Sequence, residues 1–456
     1  MKKILLLLAF GISIFANAQL NNRRLVVPEF GNNVVKTYVP TSATTMTVDP
    51  AFTINFSTLG NGLATGASPN CVTMFGTDLY VSLTAANQRI YKFPNYGTNP
   101  STSITNVSEI TRVGNDYVGI AFDASGSLYA SEGSFLNTQI VKYSGANLAT
   151  RTILGNGGLQ SYFSNITFDA SGNLWASDYK NNRVVVIKVA NLSTANAAMN
   201  SLVNATSVWN TAGASLSNTD TTLSSIVVNY AFKQPEGVAF DSSGALWVAN
   251  NNDNSDFACN PRGTLVRIST GLQTTILANT TTNANLTLLN TAAGLKVWNT
   301  PQPASGNSQF GGLQIDKVTD RLYVNEQVGG AGLWFDIANI NAMTNVYNTH
   351  KMNMVSTNPG NGGIYLAANT QVLAASSFGN NALKISLYPN PSNGNFNILT
   401  SEKIKSARAF DILGKEIILE NGSDNNFRIS NPKSGIYFVK VIFENGYQTT
   451  KKLVTE

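Results

Sequence analysis

The sequence predicts an all-β protein, with a β-propeller followed by a small C-terminal β-sandwich. The first observation is a recurring nine-residue phrase, "FDASGSLYA" at Phe122–Ala130 and "FDASGNLWA" at Phe168–Ala176. Looser copies, "FDSSGALWVA" and "IDKVTDRLYV", begin at Phe240 and Ile315. Repetition at a spacing of tens of residues indicates a repeat architecture. The second observation is that only 12% of the 456 residues are charged. That composition is typical of short strands joined by polar turns rather than of helical bundles.

Each repeat is predicted to contain three short antiparallel strands. Around Phe168, "NITFD", "LWAS" and "RVVVIKV" are strand patterns separated by the turns "ASGN" and "DYKNN". Such a unit cannot bury both faces alone, so units stack radially as propeller blades. The inner strand occurs six times and the following hairpin seven times, because the first hairpin, Leu25–Tyr38, begins midway through a repeat. We predict six or seven blades over residues 19–384, with seven preferred, in a ring closed by distant strands.

One aspartate position recurs at the turn of four repeats, in Asp123, Asp169, Asp241 and Asp316. An aspartate there can accept hydrogen bonds from backbone groups two residues further on, which predicts a structural role. Aromatic residues recur after leucine in the next strand. We expect them to pack between blades rather than to bind sugars, and they are Tyr80, Tyr129, Trp175, Trp247 and Tyr323.

The segment "QPEGVAFDSSGALWVAN" (Gln234–Asn250) resembles NHL-type and gluconolactonase-like propellers. The resemblance covers roughly residues 25–385 and implies the fold, because such propellers host many unrelated functions. Two segments break the repeat, Ala190–Lys233 and Thr270–Gln309. They either carry binding specificity or are surface decoration. The similar stretches "VANLSTANAAMNSL" and "IANINAMTNVYN" are each predicted to begin a short helix after a blade strand.

Both ends of the chain carry export signals. The start, "MKKILLLLAFGISIFANAQ", is predicted to be a signal peptide over residues 1–18, cleaved between Ala18 and Gln19. Its apolar run is too short to span a membrane, and no other stretch is apolar enough. Residues 385–456 contain "ISLYPNPSNGNFNI", "AFDILGKEI" and "SGIYFVKVIFENGYQTTKKLV", which resemble the type A sorting domain of the type IX secretion system. The resemblance implies that this secretion machinery is a partner, and that the remaining protein is attached to the cell surface or released.

Charge and cysteine content exclude some classes of function. Residues 19–383 contain eighteen basic and eighteen acidic side chains, so no basic stripe favours nucleic acid as a partner. The only two cysteines, Cys71 and Cys259, either pair or stay reduced, and their spacing does not decide between the two. His350 is the only histidine, which excludes multi-histidine metal sites.

A candidate site is predicted at one mouth of the propeller channel. The start of inner strand a and the end of strand b lie at the same end of a blade. The aligned strand-b ends are Glu29, Leu83, Glu132, Asp178, Asn250, Glu326 and Ser377. The aligned strand-a starts are Asn70, Val118, Ser164, Glu236, Gly311 and Gly362. Clustered carboxylates require a cation, a basic partner or a polar ligand, and oxygen ligands suit calcium. The alternative is a solvated polar rim whose carboxylates face lysines such as Lys180.

The resemblance to gluconolactonase-like propellers implies a metal at this mouth, held by glutamate, asparagine and aspartate at strand starts. Glu236 and Asn70 match those positions, while Cys71 replaces the usual glycine and the other slots lack an aspartate. We predict a module that binds a glycan, a peptide or a protein rather than an enzyme. The alternative is a calcium-dependent lactonase or ester hydrolase centred on Glu236 and Asn70.

Overall fold

A computed structural model describes twenty segments of the chain, and every structural statement below refers to them. They are residues 23–40, 46–59, 68–84, 89–96, 108–111, 116–134, 136–205, 224–226, 231–251, 263–288, 294–299, 309–326, 331–342, 351–352, 365–368, 385–400, 403–412, 415–422, 425–444 and 448–456. The chain divides into two compact units, Met1–Ala374 and Ala375–Glu456. Within the described residues, no helix has the length and apolar character needed to cross a membrane. The signal-peptide residues, Cys259 and His350 lie outside the described residues.

The first unit consists almost entirely of short strands. In chain order they begin with β1 (Arg23–Glu29), β2 (Val34–Pro40), β3 (Met46–Val48), β4 (Ile54–Asn55), β5 (Ser68–Phe75), β6 (Asp78–Thr84), β7 (Ile90–Phe93), β8 (Ser108–Thr111), β9 (Asp116–Phe122), β10 (Leu128–Ser134), β11 (Asn137–Ser144), β12 (Thr150–Gly155), β13 (Phe163–Phe168) and β14 (Leu174–Asp178). They continue with β15 (Arg183–Ile187), β16 (Asn200–Asn204), β17 (Ser224–Ile226), β18 (Pro235–Phe240), β19 (Leu246–Asn250), β20 (Thr264–Ile268), β21 (Asn285–Leu288), β22 (Leu295–Asn299), β23 (Phe310–Asp316), β24 (Arg321–Glu326), β25 (Ala331–Asp336), β26 (Lys351–Met352) and β27 (Tyr365–Ala368). Helix α1 spans Thr270–Ala278. Single-turn or short 3₁₀ helices span Phe30–Asn32, Pro50–Phe52, Ala146–Leu148, Val189–Asn191 and Ile337–Ala342.

These strands form six sheets, which we number as blades by the order of their inner strands. They are blade 1 (β5–β8), blade 2 (β9–β12), blade 3 (β13–β16 with β21), blade 4 (β18–β20 and β22 with β17), blade 5 (β23–β26) and blade 6 (β27 with β1–β4). Consecutive inner strands pack against one another from β5 through β9, β13 and β18 to β23. Strand β27 packs against both β23 and β5, so the six inner strands complete a ring. The first unit is therefore a β-propeller.

The preference for seven blades is not supported by the described residues. The N-terminal hairpin does not form a blade of its own, because β1 pairs with β27, with Leu25 opposite Leu366. Strands β1 and β2 thereby supply the second and third strands of the sheet whose inner strand comes from the other end of the unit. The remaining hairpin copy, Leu373–Ile385, lies outside the described residues except for Ile385.

The two segments that interrupt the repeat each add a fifth strand to an outer blade edge. Strand β17 pairs with β22, with Ser224 opposite Asn299, and β21 pairs in parallel with β16, with Ser201 opposite Asn285. Along the sequence, β21 lies between the blade 4 strands β20 and β22, but it pairs with β16 in the sheet of blade 3. Each added strand pairs with the backbone groups of β22 or β16 and becomes the outer strand of its blade. The predicted short helices are confirmed, since 3₁₀ helices begin at Val189 and Ile337.

The recurring aromatic residues pack between blades, as predicted. Each is at most 5% exposed. Three of them meet the phenylalanine of the next inner strand edge to face, with ring centroids 4.6 to 6.1 Å apart. The pairs are Tyr80–Phe122, Tyr129–Phe168 and Trp175–Phe240. Each of these phenylalanines is the first residue of a repeat phrase, so the phrase contributes to successive interfaces between blades.

The turn aspartates have the structural role that the sequence predicts. In three of them Oδ1 accepts the amide hydrogens of the residues two and four positions later, all at 2.9 Å. These are Asp123, Asp169 and Asp241. The indole nitrogens of Trp175 and Trp247 donate to Oδ2 of Asp169 and Asp241 at 3.0 and 2.9 Å. Each carboxylate thus joins its turn to the aromatic residue that packs between blades.

Replacement of Asp241 by asparagine should destabilise the propeller and weaken its sensitivity to acid. Burial acts to raise the pKa of Asp241, but hydrogen bonds from Ser243, Trp247 and the Ala245 amide, with the charge of Arg267, hold it below its usual value. The carboxylate therefore stabilises the fold at neutral pH, and this stabilisation is lost as the pH falls through the folded-state pKa. We expect Asp241→Asn to cost about 2 kcal/mol at pH 7 in urea denaturation, with a smaller cost in acid.

The control for this prediction is Glu109→Gln. Glu109 is partly exposed and lies 3.5 Å from Arg89, so its loss should cost less than about 1 kcal/mol. Equal pH dependence of stability in the Asp241 variant and the wild type would contradict the prediction.

The second unit is a β-sandwich of two four-stranded sheets. Its strands are β28 (Ser386–Tyr388), β29 (Asn395–Leu399), β30 (Ile404–Asp411), β31 (Glu416–Ile417), β32 (Leu419–Asn421), β33 (Asn426–Ile429), β34 (Gly435–Phe443) and β35 (Gln448–Thr455). One sheet has the order β28-β29-β33-β32 and the other β31-β30-β34-β35. Side chains from both sheets form one buried core that includes Phe396, Phe427, Val439 and Phe443.

Candidate functional site at the channel mouth

Inner strands begin with β-bulges at the positions that the sequence alignment selected. The strand register breaks between Pro69 and Cys71 in β5, between Phe163 and Asn165 in β13, and between Pro235 and Gly237 in β18. The skipped residues are Asn70, Ser164 and Glu236. The side chain of a bulged residue departs from the regular alternation between the two faces of the strand. Bulges are therefore frequent at the rims of barrels and beside active sites.

Serines in strand b hold neighbouring bulges together. The Ser82 hydroxyl accepts from the Cys71 amide at 3.0 Å and donates to the Val118 carbonyl of the next blade at 2.7 Å. The Ser177 hydroxyl accepts from the Asn165 amide at 3.1 Å and donates to the Glu236 carbonyl at 2.5 Å. Each serine therefore positions the start of its own inner strand against the next one. Sequence reasoning missed this role, although a serine precedes the last strand-b residue in both "SD" and "SL".

Tyr162, which immediately precedes β13, lies at the centre of the site. The Asn70 side chain hydrogen-bonds to its hydroxyl, and the charges of Glu236 and Asp116 act on it. Strand β9 separates β5 from β13 in the ring, so the contact between Asn70 and Tyr162 extends across the channel opening. With Asn251, whose Nδ2 donates to Glu236 Oε1 at 2.9 Å, these side chains form what we call the mouth cluster.

The mouth cluster thus comprises Asn70 of blade 1, Asp116 of blade 2, Tyr162 of blade 3, and Glu236 and Asn251 of blade 4. Burial raises the pKa of Tyr162, and the charges of Glu236 and Asp116 raise it further, while the hydrogen bond from Asn70 opposes them. The phenol is therefore neutral at physiological pH. It can accept or donate a hydrogen bond, but it is a poor general base.

Two buried oxygen atoms beside the mouth cluster are without hydrogen-bond partners in the described part of the chain. Asn70 is 2% exposed, and its Oδ1 is one of them. Ser164 is also 2% exposed, and its Oγ is the other. A buried polar atom left without a partner costs about 1–3 kcal/mol. An ordered water or a bound ligand group can satisfy such an atom.

A cavity of about 250 Å³ lies along the inner strands, and its lining runs from Cys71 and Asn165 to Met74, Phe122 and Phe168 at or near the other ends of their strands. Inner strands of five blades line it, β5, β9, β13, β18 and β23. Its walls are mixed, with Val72, Ile120 and Leu313 beside Thr73 and Gln314. None of the mouth-cluster side chains lines this cavity.

Cys71 also lines this channel. It is buried, and its Sγ lies 3.8 Å from the Ile120 carbonyl oxygen. The predicted alternative of a bridge to Cys259 concerns a residue outside the described segments.

The carboxylates at the strand-b ends are compensated inside their own blades. Three of them are fully buried and face a cation and a polar donor of the same sheet or of the adjoining turn. Glu29 contacts Lys36 and the Tyr38 hydroxyl, both at 2.9 Å. Glu132 contacts Arg151 and the Tyr143 hydroxyl, both at 2.5 Å.

The third is Asp178, which contacts Arg183 at 2.8 Å and accepts from the Tyr162 amide at 3.1 Å. Asn250 donates to Thr264 Oγ1 at 2.8 Å, and Glu326 accepts from the Gln309 amide at 3.4 Å.

For Glu29, Glu132 and Asp178, in-blade lysine and arginine side chains supply charge compensation of the kind that the sequence argument assigned to a shared cation. The alternative of a solvated rim is wrong, since Glu29, Glu132, Asp178 and Glu326 are 0% exposed. Lys180 contacts the Leu136 carbonyl and Gln160 Oε1 at 2.9 and 3.0 Å. Across the segments that the structure describes, no three histidine, cysteine, aspartate or glutamate side chains cluster as metal ligands.

Sequence reasoning found two members of the mouth cluster and missed three. Asn70 and Glu236 were identified from the alignment of strand starts. Asp116 and Tyr162 lie two residues before their aligned slots, and Asn251 lies one residue beyond the strand-b end. A window extended by two residues on either side of each slot would have included all three.

The C-terminal unit is the part of the chain with a family assignment. Residues 386–456 match the family described as "Secretion system C-terminal sorting domain". The match spans both sheets of the second unit and confirms the predicted resemblance to type IX sorting domains. A protein with this domain is secreted and directed to the cell surface.

No curated protein matches the chain. Similar solved structures are propeller proteins at low identity. Virginiamycin B lyase from Staphylococcus aureus is 14% identical over 76% of this chain and 93% of that one, with a TM-score of 0.42. PorZ, a surface component of the type-IX secretion system of Porphyromonas gingivalis, is 14% identical over 95% and 58%, with a TM-score of 0.39. The periplasmic gluconolactonase PpgL of Pseudomonas aeruginosa is 10% identical over 95% and 96%, with a TM-score of 0.40. Likenesses at this level carry no argument about activity or ligand.

Proposed function

We propose that the protein is an exported propeller that binds a glycan, peptide or protein group at its channel mouth, and that it is not an enzyme. The observation that carries this proposal is the mouth cluster, in which four consecutive blades contribute polar side chains around one opening. Tyr162 and Tyr179 are partly exposed there, so the site is accessible from solvent. The unfilled Asn70 Oδ1 supports this proposal, because a few convergent polar atoms of this kind are a feature of binding pockets.

Array binding tests this proposal. We expect the mature wild-type protein to retain members of a glycan or peptide array, and a Tyr162→Ala, Asn70→Ala double variant to lose that signal. The control is Phe75→Ala, because Phe75 ends β5 at the opposite mouth and is 42% exposed. Retention that is lost in the control but kept in the double variant would place binding at the other mouth and contradict the proposal.

The alternative function is a calcium-dependent lactonase or ester hydrolase at the same mouth. Two features favour it: the Glu236 carboxylate and the unfilled Asn70 Oδ1 are oxygen ligands of the type that calcium takes. Glu236 and Asn70 would hold the ion, which when bound would polarise a substrate carbonyl. Glu236 would then supply charge and Asn70 a neutral oxygen, with Tyr162 orienting Asn70.

Calcium titration separates the two functions. On the alternative, calcium at about a hundredfold above its Kd should stabilise the wild type by about 2.7 kcal/mol, and Glu236→Gln should abolish the response. On the leading proposal, calcium should leave the unfolding midpoints of both proteins unchanged. A calcium response that depends on Glu236 would justify a screen of lactones and esters and would displace the leading proposal if turnover were found.

A further inference from the structure

We propose that the cavity along the inner strands is a second binding site, separate from the mouth cluster and entered from the opposite end of the propeller. Its ligand is a neutral small molecule with an apolar body and a hydroxyl or amide group. This site is additional to the binding function proposed above, because none of its lining residues belongs to the mouth cluster.

The exposure of the lining residues indicates the end from which the cavity is entered. Cys71 and Asn165, the lining residues nearest the mouth cluster, are only 1% and 6% exposed. A Cβ at Gly119 would lie 2.8 Å from Asn165 Cα, so β9 and β13 are in backbone contact there. Five lining residues are partly exposed, and all five lie at or near the other ends of their strands. These entrance residues are Met74, Phe122, Thr167, Phe168 and Gln314.

The inner wall of the cavity is formed by strand edges. The inner strands β5, β9, β13, β18 and β23 each stand last in the order of their own sheets. Uninterrupted runs of residues line the cavity, 71–74, 120–122 and 165–168. Because successive side chains of a strand point to opposite faces, such runs mean that the strand edge itself faces the cavity. An edge presents backbone N–H and C=O groups that no neighbouring strand pairs. The wall therefore offers both donors and acceptors.

Four polar side chains on the same wall have hydrogen-bonding capacity to spare. They are Thr73, Asn165, Thr167 and Gln314. Asn165 Oδ1 accepts from the Ile166 amide at 2.7 Å. Within the segments that the structure describes, no hydrogen bond engages Asn165 Nδ2, the two threonine hydroxyls or the Gln314 amide. Thr73 and Asn165 are each 6% exposed, so their partners must come from whatever fills the cavity.

The charge of the lining decides between neutral and ionic ligands. None of the side chains that line the cavity is charged. Removal of an ammonium or a carboxylate from water without an opposite charge costs far more than removal of a hydroxyl or amide that regains hydrogen bonds. A neutral ligand that both donates and accepts is therefore favoured over either ion.

The apolar part of the ligand is matched by the rest of the lining. Val72 and Leu313 supply aliphatic surface inside, and two phenylalanines stand at the entrance. Both rings are fixed by neighbouring aromatic residues, Phe122 by Tyr80 at 4.6 Å and Phe168 by Tyr129 at 5.1 Å. The entrance is thus largely formed before a ligand arrives, as in most small-molecule sites.

The experiment compares three compounds that share a phenyl group and differ in charge. They are phenylacetamide, phenethylammonium and phenylacetate, and their binding to the mature protein is measured by ligand-observed NMR titration at pH 7. We expect the neutral amide to bind at least about tenfold more tightly than either ion.

A charge placed at the entrance should reverse this preference. Gln314→Glu keeps the side-chain shape and adds one carboxylate, so phenethylammonium should then bind more tightly than phenylacetamide. The matched control is Gln160→Glu, which adds the same charge at an exposed residue outside the cavity, beside Lys180. It should leave the order of affinities unchanged. Thr167→Glu repeats the test at a second entrance residue, and urea unfolding curves show which variants are folded.

Three results would overturn the proposal. The first is equal affinity for the three compounds in the wild type. The second is an order of affinities that a folded Gln314→Glu or Thr167→Glu variant leaves unchanged. The third is absence of binding by both phenylacetamide and phenethyl alcohol up to about 10 mM, which would mean that water alone fills the cavity.

Discussion

Deletion of residues 25–38 should abolish cooperative unfolding of the propeller rather than trim a terminal extension. These residues comprise most of β1 and β2, and β1 is the strand that joins β27 to the rest of blade 6. Without it, β27 loses its partner and the ring of inner strands is open at one blade. Closed rings depend on this pairing because an open edge exposes backbone groups and apolar faces.

The expected size of this effect follows from burial. Leu25, Val26, Val27, Val35 and Tyr38 are each at most 1% exposed. At about 1.5–3 kcal/mol for each large apolar side chain, their loss approaches roughly 10 kcal/mol, comparable to the whole stability of a domain. Circular dichroism melting should therefore show no cooperative transition from the propeller.

The control is a chain that ends at residue 384. It loses more residues but keeps all six described blades, since the sorting unit forms a separate hydrophobic core. Its propeller transition should be preserved. A cooperative transition of normal midpoint in the variant without residues 25–38 would contradict closure by the N-terminal hairpin.

Replacement of Gly237 by alanine should destabilise the propeller by about 3 kcal/mol, a large effect for one methyl group. A Cβ at this position would lie 2.5 Å from both the Leu313 backbone nitrogen and the Leu313 Cβ, and 2.7 Å from the Gly311 carbonyl oxygen. These atoms belong to β23, the next inner strand. The overlap cannot be relieved by a side-chain rotation, because two of the three contacts are with backbone.

The matched control is Gly271→Ala. Gly271 lies in the first turn of α1, and the nearest atom to an added Cβ is 3.8 Å away. Alanine is favoured over glycine in helices, so this variant should gain roughly half a kcal/mol. Urea denaturation of both variants checks the prediction. A Gly237→Ala protein as stable as the wild type would mean that β18 and β23 can separate without penalty.

Gly237 also connects fold and site. It follows Glu236 directly, so displacement of β18 from β23 would move the Glu236 carboxylate away from Asn251 and Tyr162. We therefore expect Gly237→Ala to lower ligand binding at the mouth even under conditions in which the variant stays folded.

Several features followed from local pattern alone. The aspartate of the repeat phrase bonds the amides of its own turn, and the aromatic residue six positions later bonds the same carboxylate. Both contacts lie within one hairpin, so the local pattern that predicts the hairpin also predicts the contacts. The strands of the sorting unit were equally accessible, because their alternation and their asparagine-glycine and serine-glycine turns are local signals.

The alignment of repeats also located the correct end of the channel. Asn70 and Glu236 lie in bulges at equivalent positions of blades 1 and 4, and equivalent positions in a radial repeat meet around one axis. The alignment of repeats therefore predicted at which end of the channel the aligned residues lie. It did not show which side chains touch there, since Tyr162 reaches Asn70 across an intervening blade.

The sequence by itself determined the strands, their turns, the repeat that stacks them, and the sorting domain that directs export. Only the tertiary structure decided that β1 joins β27, that β17 and β21 extend blades 4 and 3, and that Lys36, Arg151 and Arg183 neutralise the buried carboxylates. The physical reason is that a strand edge offers the same backbone donors and acceptors whatever its side chains are. Which edge it pairs with is therefore selected by closure of the whole ring, a long-range condition that no local pattern records.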